Sequence, residues 1–168
     1  MNVIATAARR LSTVGARSVP RSTVNYRSAR SLMTLKETKY TATATASGAG
    51  RNGSVESNGL KLALATPKEI GGSGNGENPE QLFAMGYAGC FLGAVQFKAR
   101  EFGRPEVGQK AVVHASVHLG TPNEVAGFGL AVDITVEGVD EEILQAAHAM
   151  CPYSRAVAEG IVVNVKAV

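Results

Sequence analysis

The sequence predicts an α+β domain in the order β-β-α-β-β-α-α-β, with a mainly antiparallel sheet wrapped around one long buried helix. Three observations predict it: short runs that alternate apolar and polar residues, one long segment without a charge, and Gly/Pro/Asn clusters between them. With 168 residues, 45% hydrophobic and 18% charged, the chain can build one packed core and is too apolar for a disordered polymer.

Residues 1–35 stand apart. They carry six arginines (Arg9, Arg10, Arg17, Arg21, Arg27, Arg30), many Ser and Thr, and no acid. This is the composition of an organelle transit peptide. Val3, Ile4, Ala7, Ala8 and Leu11 recur at helical spacing with Arg9 and Arg10 on another face, which suits mitochondrial import, with the matrix as destination. The folded domain is then expected over 36–168. Removing the six arginines from the 17 basic residues leaves 11 against 14 acidic ones, a net charge of −3. The overall +3 therefore reports the leader, and no nucleic-acid surface is expected. No uninterrupted apolar run approaches the ~20 residues of a membrane span, so none is expected. In a reducing matrix, two cysteines are catalytic or free sooner than a permanent staple.

Residues 40–46 alternate Thr and Ala and read as a strand. The turn cluster 47–53 leads to a second strand over 54–65, forming a hairpin. Residues 66–77 hold Gly71, Gly72, Gly74 and Gly76 without the lysine of a phosphate loop, and read as a plain flexible connection. Asn78-Pro79-Glu80-Gln81 starts a helix: Asn78 caps, Pro79 suits the first position, and Gln81 reaches back. It should run over 78–102 and stop at Gly103. From Leu82 to Val95 it has no charge, which predicts burial all round, and Gly86, Gly89, Gly93 and Phe97 form a stripe another backbone could approach. Strands are expected over 111–119, 128–136 and 161–167, with helices over 140–149 and from Pro152 towards Ala158. Such a helix is too much apolar surface for one small sheet, so a homodimer wrapping two of them is expected.

Cys90 lies within the charge-free segment. Burial alone makes a thiol an inert hydrophobe with a raised pKa, so a reactive Cys90 needs a cation from elsewhere. Arg51, among glycines in the hairpin turn, is the candidate supplier; a solvated turn residue is the alternative. Glu80 is the carboxylate expected to orient Arg51, because Arg51 offers a planar fork that a carboxylate can fix; a residue that merely complements the helix dipole in its first turn is the alternative. Ten residues of helix, about 15 Å of rise, separate Glu80 from Cys90, so Glu80 must act through Arg51, in cis or from a second subunit. Cys151 precedes Pro152 at a helix start, where free N–H groups favour a thiolate. His148, three residues earlier, could pair with it as a Cys/His nucleophile or sit on the helix surface. His114 and His118, about 13 Å apart along a strand, are too far apart to share a metal.

The run Asn78-Pro79-Glu80-Gln81-Leu82-Phe83-Ala84-Met85-Gly86-Tyr87-Ala88-Gly89-Cys90-Phe91, with Cys151-Pro152-Tyr153-Ser154 much later, resembles the organic hydroperoxide resistance (Ohr) branch of the Ohr/OsmC family. Gly50-Arg51-Asn52-Gly53 is similar to that family's glycine-flanked arginine, and Thr66-Pro67-Lys68-Glu69-Ile70-Gly71-Gly72 to its inter-strand loop. The resemblance implies an OsmC-like fold, an intertwined homodimer, and a thiol peroxidase that reduces alkyl or lipid hydroperoxides to alcohols. It implies Cys90 as the peroxidatic residue, a sulfenic acid there, and a Cys90–Cys151 disulfide afterwards. It implies a lipoylated protein or other dithiol as reductant, and no cofactor or metal. The competing expectations are an OsmC-branch peroxidase of broader substrate range, a cysteine hydrolase using His148, and a non-catalytic dimer that binds apolar ligands.

Overall fold

The computed structural model describes residues 32–167. The expected leader thus lies almost wholly outside the described residues. Of its last residues, Met33 donates its N–H to Gly160 O at 3.2 Å and forms a parallel bridge with Ile161.

Three short antiparallel strands come first: β1 (Thr45–Ser47), β2 (Ser54–Ser57) and β3 (Leu60–Ala63). The expected hairpin forms, with Thr45 opposite Glu56, but β1 is shorter than the expected strand over 40–46, and residues 40–44 pair with no strand among the described residues. The run 54–65 is not one strand, however. Asn58 and Gly59 both take positive φ, +48° and +81°, and Ser57 pairs with Leu60 across them. This is the two-residue turn an Asn-Gly pair favours, because its twist matches that of the flanking strands. Nor is 66–77 a plain connection. Gly72 and Gly74 donate to Pro67 O and Thr66 O, and Thr66 donates to Asn52 Oδ1 at 2.9 Å. The loop is thereby tied to the turn that carries Arg51.

Helix α1 (Pro79–Glu101) begins with the expected capping box: Asn78 Oδ1 accepts from Gln81 N–H and Gln81 Oε1 from Asn78 N–H. It ends at Gly103, whose φ is +70°. A short helix that periodicity did not reveal, α2 (Pro105–Lys110), folds back on α1. A Cβ on Gly108 would stand 2.9 Å from Ala99 Cβ, so only glycine permits this approach. Strands β4 (Val112–Gly120) and β5 (Gly129–Glu137) pair antiparallel along their whole length. Helices α3 (Glu141–Met150) and α4 (Pro152–Glu159) follow, α3 capped by Asp140, whose Oδ1 accepts from Ile143 N–H at 3.1 Å.

The core forms where α1 meets β4, α2 and α3. Tyr87, Phe91, Ala94, Val95 and Ala99 of α1 pack on Ile143, Ala147 and Cys151, with Val113, Val132, Ile134 and Val136 beneath. Burying a side chain the size of Phe91 contributes about 1.5–3 kcal/mol. By length and composition α1 could cross a membrane, yet its Tyr87–Phe91–Val95 face is the centre of this core.

Three expectations are corrected. Within one chain α1 is not buried all round: Met85 and Phe97 are exposed and a Cβ on Gly89 or Gly93 would meet nothing among the described residues, because β4–β5, α2, α3 and α4 pack on its other faces. The glycine stripe is split, since Gly86 instead faces Tyr153, 3.3 Å from an added Cβ. The final strand over 161–167 does not form among the described residues, where no neighbouring strand offers a ladder beyond Ile161, and Val163 and Val165 are 71% and 90% exposed.

Candidate active site

Two pairs of side chains hold the candidate residues, and α1 carries one member of each. In the first, Arg51 sits in a one-turn 3-10 helix, Gly50–Asn52. The turn is tight: Gly50 has φ +58°, and a Cβ on Gly53 would lie 2.2 Å from Ser47 O. From there Arg51 reaches the first turn of α1, its Nη1 donating to Glu80 Oε1 at 3.1 Å and its Nη2 to Oε2. The hydrogen bond from Arg51 holds the Glu80 carboxyl below its ordinary range against the opposing effect of burial. Arg51 Nε is buried with no hydrogen-bond partner among the described residues. Glu80 also stands on the wall of a 460 Å³ cavity between Pro67, Ile70, Ala84 and the end of β4 at Leu119.

In the second pair, Cys90 Sγ lies 3.5 Å from Cys151 Sγ, and both are free thiols. Cys151 is fully buried at the junction of α3 and α4, where it caps both helices. Cys90 is half-buried. Burial pushes the Cys90 thiol above its ordinary pKa, and the neighbouring Cys151 adds to this, while the backbone N–H of Tyr153 in the first turn of α4 opposes it. A disulfide needs the sulfurs at about 2.05 Å, so a closure of some 1.5 Å joins them.

The sequence-predicted residues are therefore brought together two by two. Arg51 meets Glu80, and Cys90 meets Cys151, but the pairs are separated by ten residues of α1, about 15 Å of rise. No Arg51 contact is among the influences on Cys90. His148 is not paired with a cysteine: its Nδ1 lies 3.1 Å from Ser154 Oγ, and its ring lies against Phe91. That removes the Cys/His nucleophile from the geometry. His114 and His118 are exposed on β4, each bonded to its own carboxylate on β5, Glu137 at 2.8 Å and Asp133 at 3.0 Å. Periodicity gave no hint of Tyr87 and Ser154, two buried hydroxyls; their signals are that each stands three residues from a cysteine and within one of the two motifs that carry the family resemblance.

The OsmC-like protein family matches residues 72–166, a stretch that includes Glu80, Cys90 and Cys151. The organic hydroperoxide resistance protein of Xanthomonas axonopodis pv. citri is 44% identical over 126 residues, spanning 70% of this chain and 86% of its own. Among solved structures, an organic hydroperoxide resistance protein from Legionella pneumophila superposes with a TM-score of 0.65 at 39% identity, covering 74% of this chain and 94% of that one. OhrB of Bacillus subtilis superposes at 0.62 with 34% identity, covering 73% and 93%. The helix with a mid-length cysteine, the second cysteine at a helix junction and the likeness of sequence and fold agree, and the chain belongs to the OsmC-like protein family, in its organic hydroperoxide resistance branch.

Proposed function

We propose that this protein is a thiol peroxidase that reduces organic hydroperoxides to alcohols. The carrying observation is the 3.5 Å approach of Cys90 Sγ to Cys151 Sγ between two segments 61 residues apart. The names of the relatives support the substrate class. The Cys90 thiolate attacks the outer oxygen of the hydroperoxide, the O–O bond breaks, and the alkoxide leaves as an alcohol after taking a proton. Cys90 becomes a sulfenic acid. Cys151 then attacks the Cys90 sulfur, water leaves, and a dithiol of lipoyl type, free or protein-bound, reduces the disulfide by two exchange steps.

The Glu80 end of the Arg51–Glu80 pair stands about 15 Å of helix rise from Cys90 in its own chain, which favours supply of the cation from a second copy. On this reading the active form is an intertwined homodimer in which a second copy brings its Arg51–Glu80 pair to Cys90. The uncovered side of α1, with Met85, Phe97 and two open glycines, is where that copy packs. A cation at Cys90 offsets the burial that otherwise keeps the thiol protonated. The leader over 1–35 directs the protein to the mitochondrial matrix, a compartment that keeps the thiols reduced between turnovers.

Thiol counting tests the reading. After one equivalent of cumene hydroperoxide, two thiols per chain should disappear and one cumyl alcohol should form. A hydrolase or a passive apolar-ligand dimer would lose none.

A further inference from the structure

A second contact runs parallel to the thiol pair. Tyr87 lies three residues before Cys90 on α1, and Ser154 lies three residues after Cys151 in the first turn of α4. Tyr87 Oη–H donates to Ser154 Oγ at 3.0 Å, and the two residues are only 4% and 3% exposed. Ser154 Oγ is also 3.1 Å from His148 Nδ1. With Tyr87 donating, the serine proton goes to His148 Nδ1, which leaves the ring proton on Nε2. Phe83 and Tyr153 flank the Tyr87 ring at centroid distances of 5.8 and 5.7 Å, so the ring is held in place independently of its hydroxyl.

The placement of this chain of bonds matters more than its presence. His148 is in the last turn of α3 and Ser154 in the first turn of α4, so their bond closes a bracket centred on Cys151. Inside the bracket, Cys151 N–H donates to Ala147 O at 2.8 Å and its carbonyl accepts from Arg155 N–H at 3.0 Å. Tyr87 then pins the bracket to α1, one helical turn from Cys90. Thiols and hydroxyls form two rungs between the same two segments.

We infer that the buried Tyr87–Ser154–His148 hydrogen-bond chain is a positioning device for the resolving half-reaction, holding Cys151 within reach of an oxidised Cys90. The inference rests on the thiol-peroxidase reading above. In the step concerned, the Cys151 thiol gives up its proton and its sulfur lone pair forms the S–S bond. The S–O bond of the Cys90 sulfenic acid breaks, and the departing hydroxide takes the proton to become water. The competing fate of the sulfenic acid is a second hydroperoxide, which carries it to sulfinic acid. Resolution wins only if Cys151 stays close, as a group held in near-attack geometry acts at a very high effective concentration. Positioning of this kind should govern closure and leave the first attack untouched.

The test separates the two steps. Wild type, Tyr87→Phe, Ser154→Ala, His148→Leu and His148→Asn are mixed with cumene hydroperoxide, quenched with an alkylating reagent and analysed by mass spectrometry over time. Sulfenic acid formation at Cys90 should stay within about threefold of wild type in every variant. Disulfide closure should slow at least tenfold in Tyr87→Phe, Ser154→Ala and His148→Leu, with sulfinic acid accumulating under excess hydroperoxide. His148→Asn, whose Oδ1 can accept the serine proton, should recover most of the closure rate. If Ser154→Ala does not fold, Tyr87→Phe carries the test, since it removes one hydroxyl and keeps the packed ring. Closure at the wild-type rate in Tyr87→Phe, or equal slowing of both steps, overturns the inference. Wild type that never consumes hydroperoxide overturns the peroxidase reading first, and this inference with it.

Discussion

Arg51 sets both of its Nη atoms against the two carboxylate oxygens of Glu80, 29 residues further along the chain. A two-pronged pair of this kind fixes the plane of the guanidinium, which a point-like ammonium cannot reproduce. Arg51→Lys is therefore expected to behave like Arg51→Ala, losing at least tenfold in kcat/KM for cumene hydroperoxide with the circular dichroism unchanged. Glu80→Ala should lose less. Arg51→Ala should also move the pH profile of Cys90 alkylation upwards, and Arg51→Lys, which keeps the positive charge, should move it less. Wild-type kinetics in Arg51→Lys would show that the fork itself is not needed.

The same pair has a pH signature. Arg51 holds the folded-state Glu80 carboxyl low, so the folded chain takes up this proton less readily than the unfolded one. Its stabilising effect is complete above the ordinary carboxylate value of about 4.3 and is lost as pH falls through the lowered folded value. Urea unfolding of wild type and Glu80→Gln should show separate midpoints at neutral pH that converge in acid. Midpoints separated equally at all pH values would assign the difference to packing.

The two cysteines should fail differently. Cys90→Ser should abolish hydroperoxide consumption. Cys151→Ser should complete one turnover and then stop, or over-oxidise at Cys90, unless an external thiol rescues it. One equivalent of cumene hydroperoxide should lower the wild-type mass by about two units for the disulfide and raise that of Cys151→Ser by about sixteen for the sulfenic acid. First oxidation on Cys151 with Cys90 still reduced would reverse the roles.

Gly93 gives a test of the homodimer whose sign decides. An added Cβ there meets nothing within 4 Å among the described residues. On an open helix face, Gly→Ala gains about 0.8–1 kcal/mol of helix propensity, worth roughly 2–4 °C in Tm for a chain of this size. If a second copy packs its backbone against the glycine, the methyl group obstructs it. Gly93→Ala is then expected to lower Tm and to shift the protein from dimer towards monomer by light scattering. A rise in Tm with an unchanged mass would leave this face of α1 unoccupied.

The leader and the folded part should separate cleanly. A chain starting at Thr34 loses the Met33 bridge to Ile161 and its bond to Gly160 O, a small loss at the edge of the fold. It should fold and keep its peroxidase activity while losing mitochondrial import, followed by fluorescence of tagged full-length and shortened chains. Cytosolic full-length protein would remove the targeting half of this expectation.

Local signals were the legible ones. Asn78, Pro79 and Gln81 announce the start of α1, Gly103 its end, and the alternation in β4 its inner face, because each depends on neighbours a few residues away. The Asn58-Gly59 turn was equally local and was hidden by the unbroken look of the run around it. The 161–167 segment shows how alternation misleads, since a strand also needs a partner and the described residues give Ile161 only a bridge. At the site, spacing left two solitary thiols, and only the likeness to a family joined them. The Tyr87–Ser154 bond, 67 residues apart in sequence, had no periodic signal at all.

The packing of α1 also has a consequence for synthesis. Phe91 is made sixty residues before Cys151, and β4, β5 and α3 are all made after the helix they cover. At roughly 5–20 residues per second the apolar face of α1 waits about 3–12 s for its last cover. During that interval the nascent chain displays a 23-residue segment with the length and hydropathy of a membrane span. The capping box helps here, since it needs only Asn78 and Gln81 and can close as soon as the first turns exist. Newly made chains stalled after residue 110 should therefore recruit hydrophobic-binding chaperones, and chains stalled beyond α4 should not.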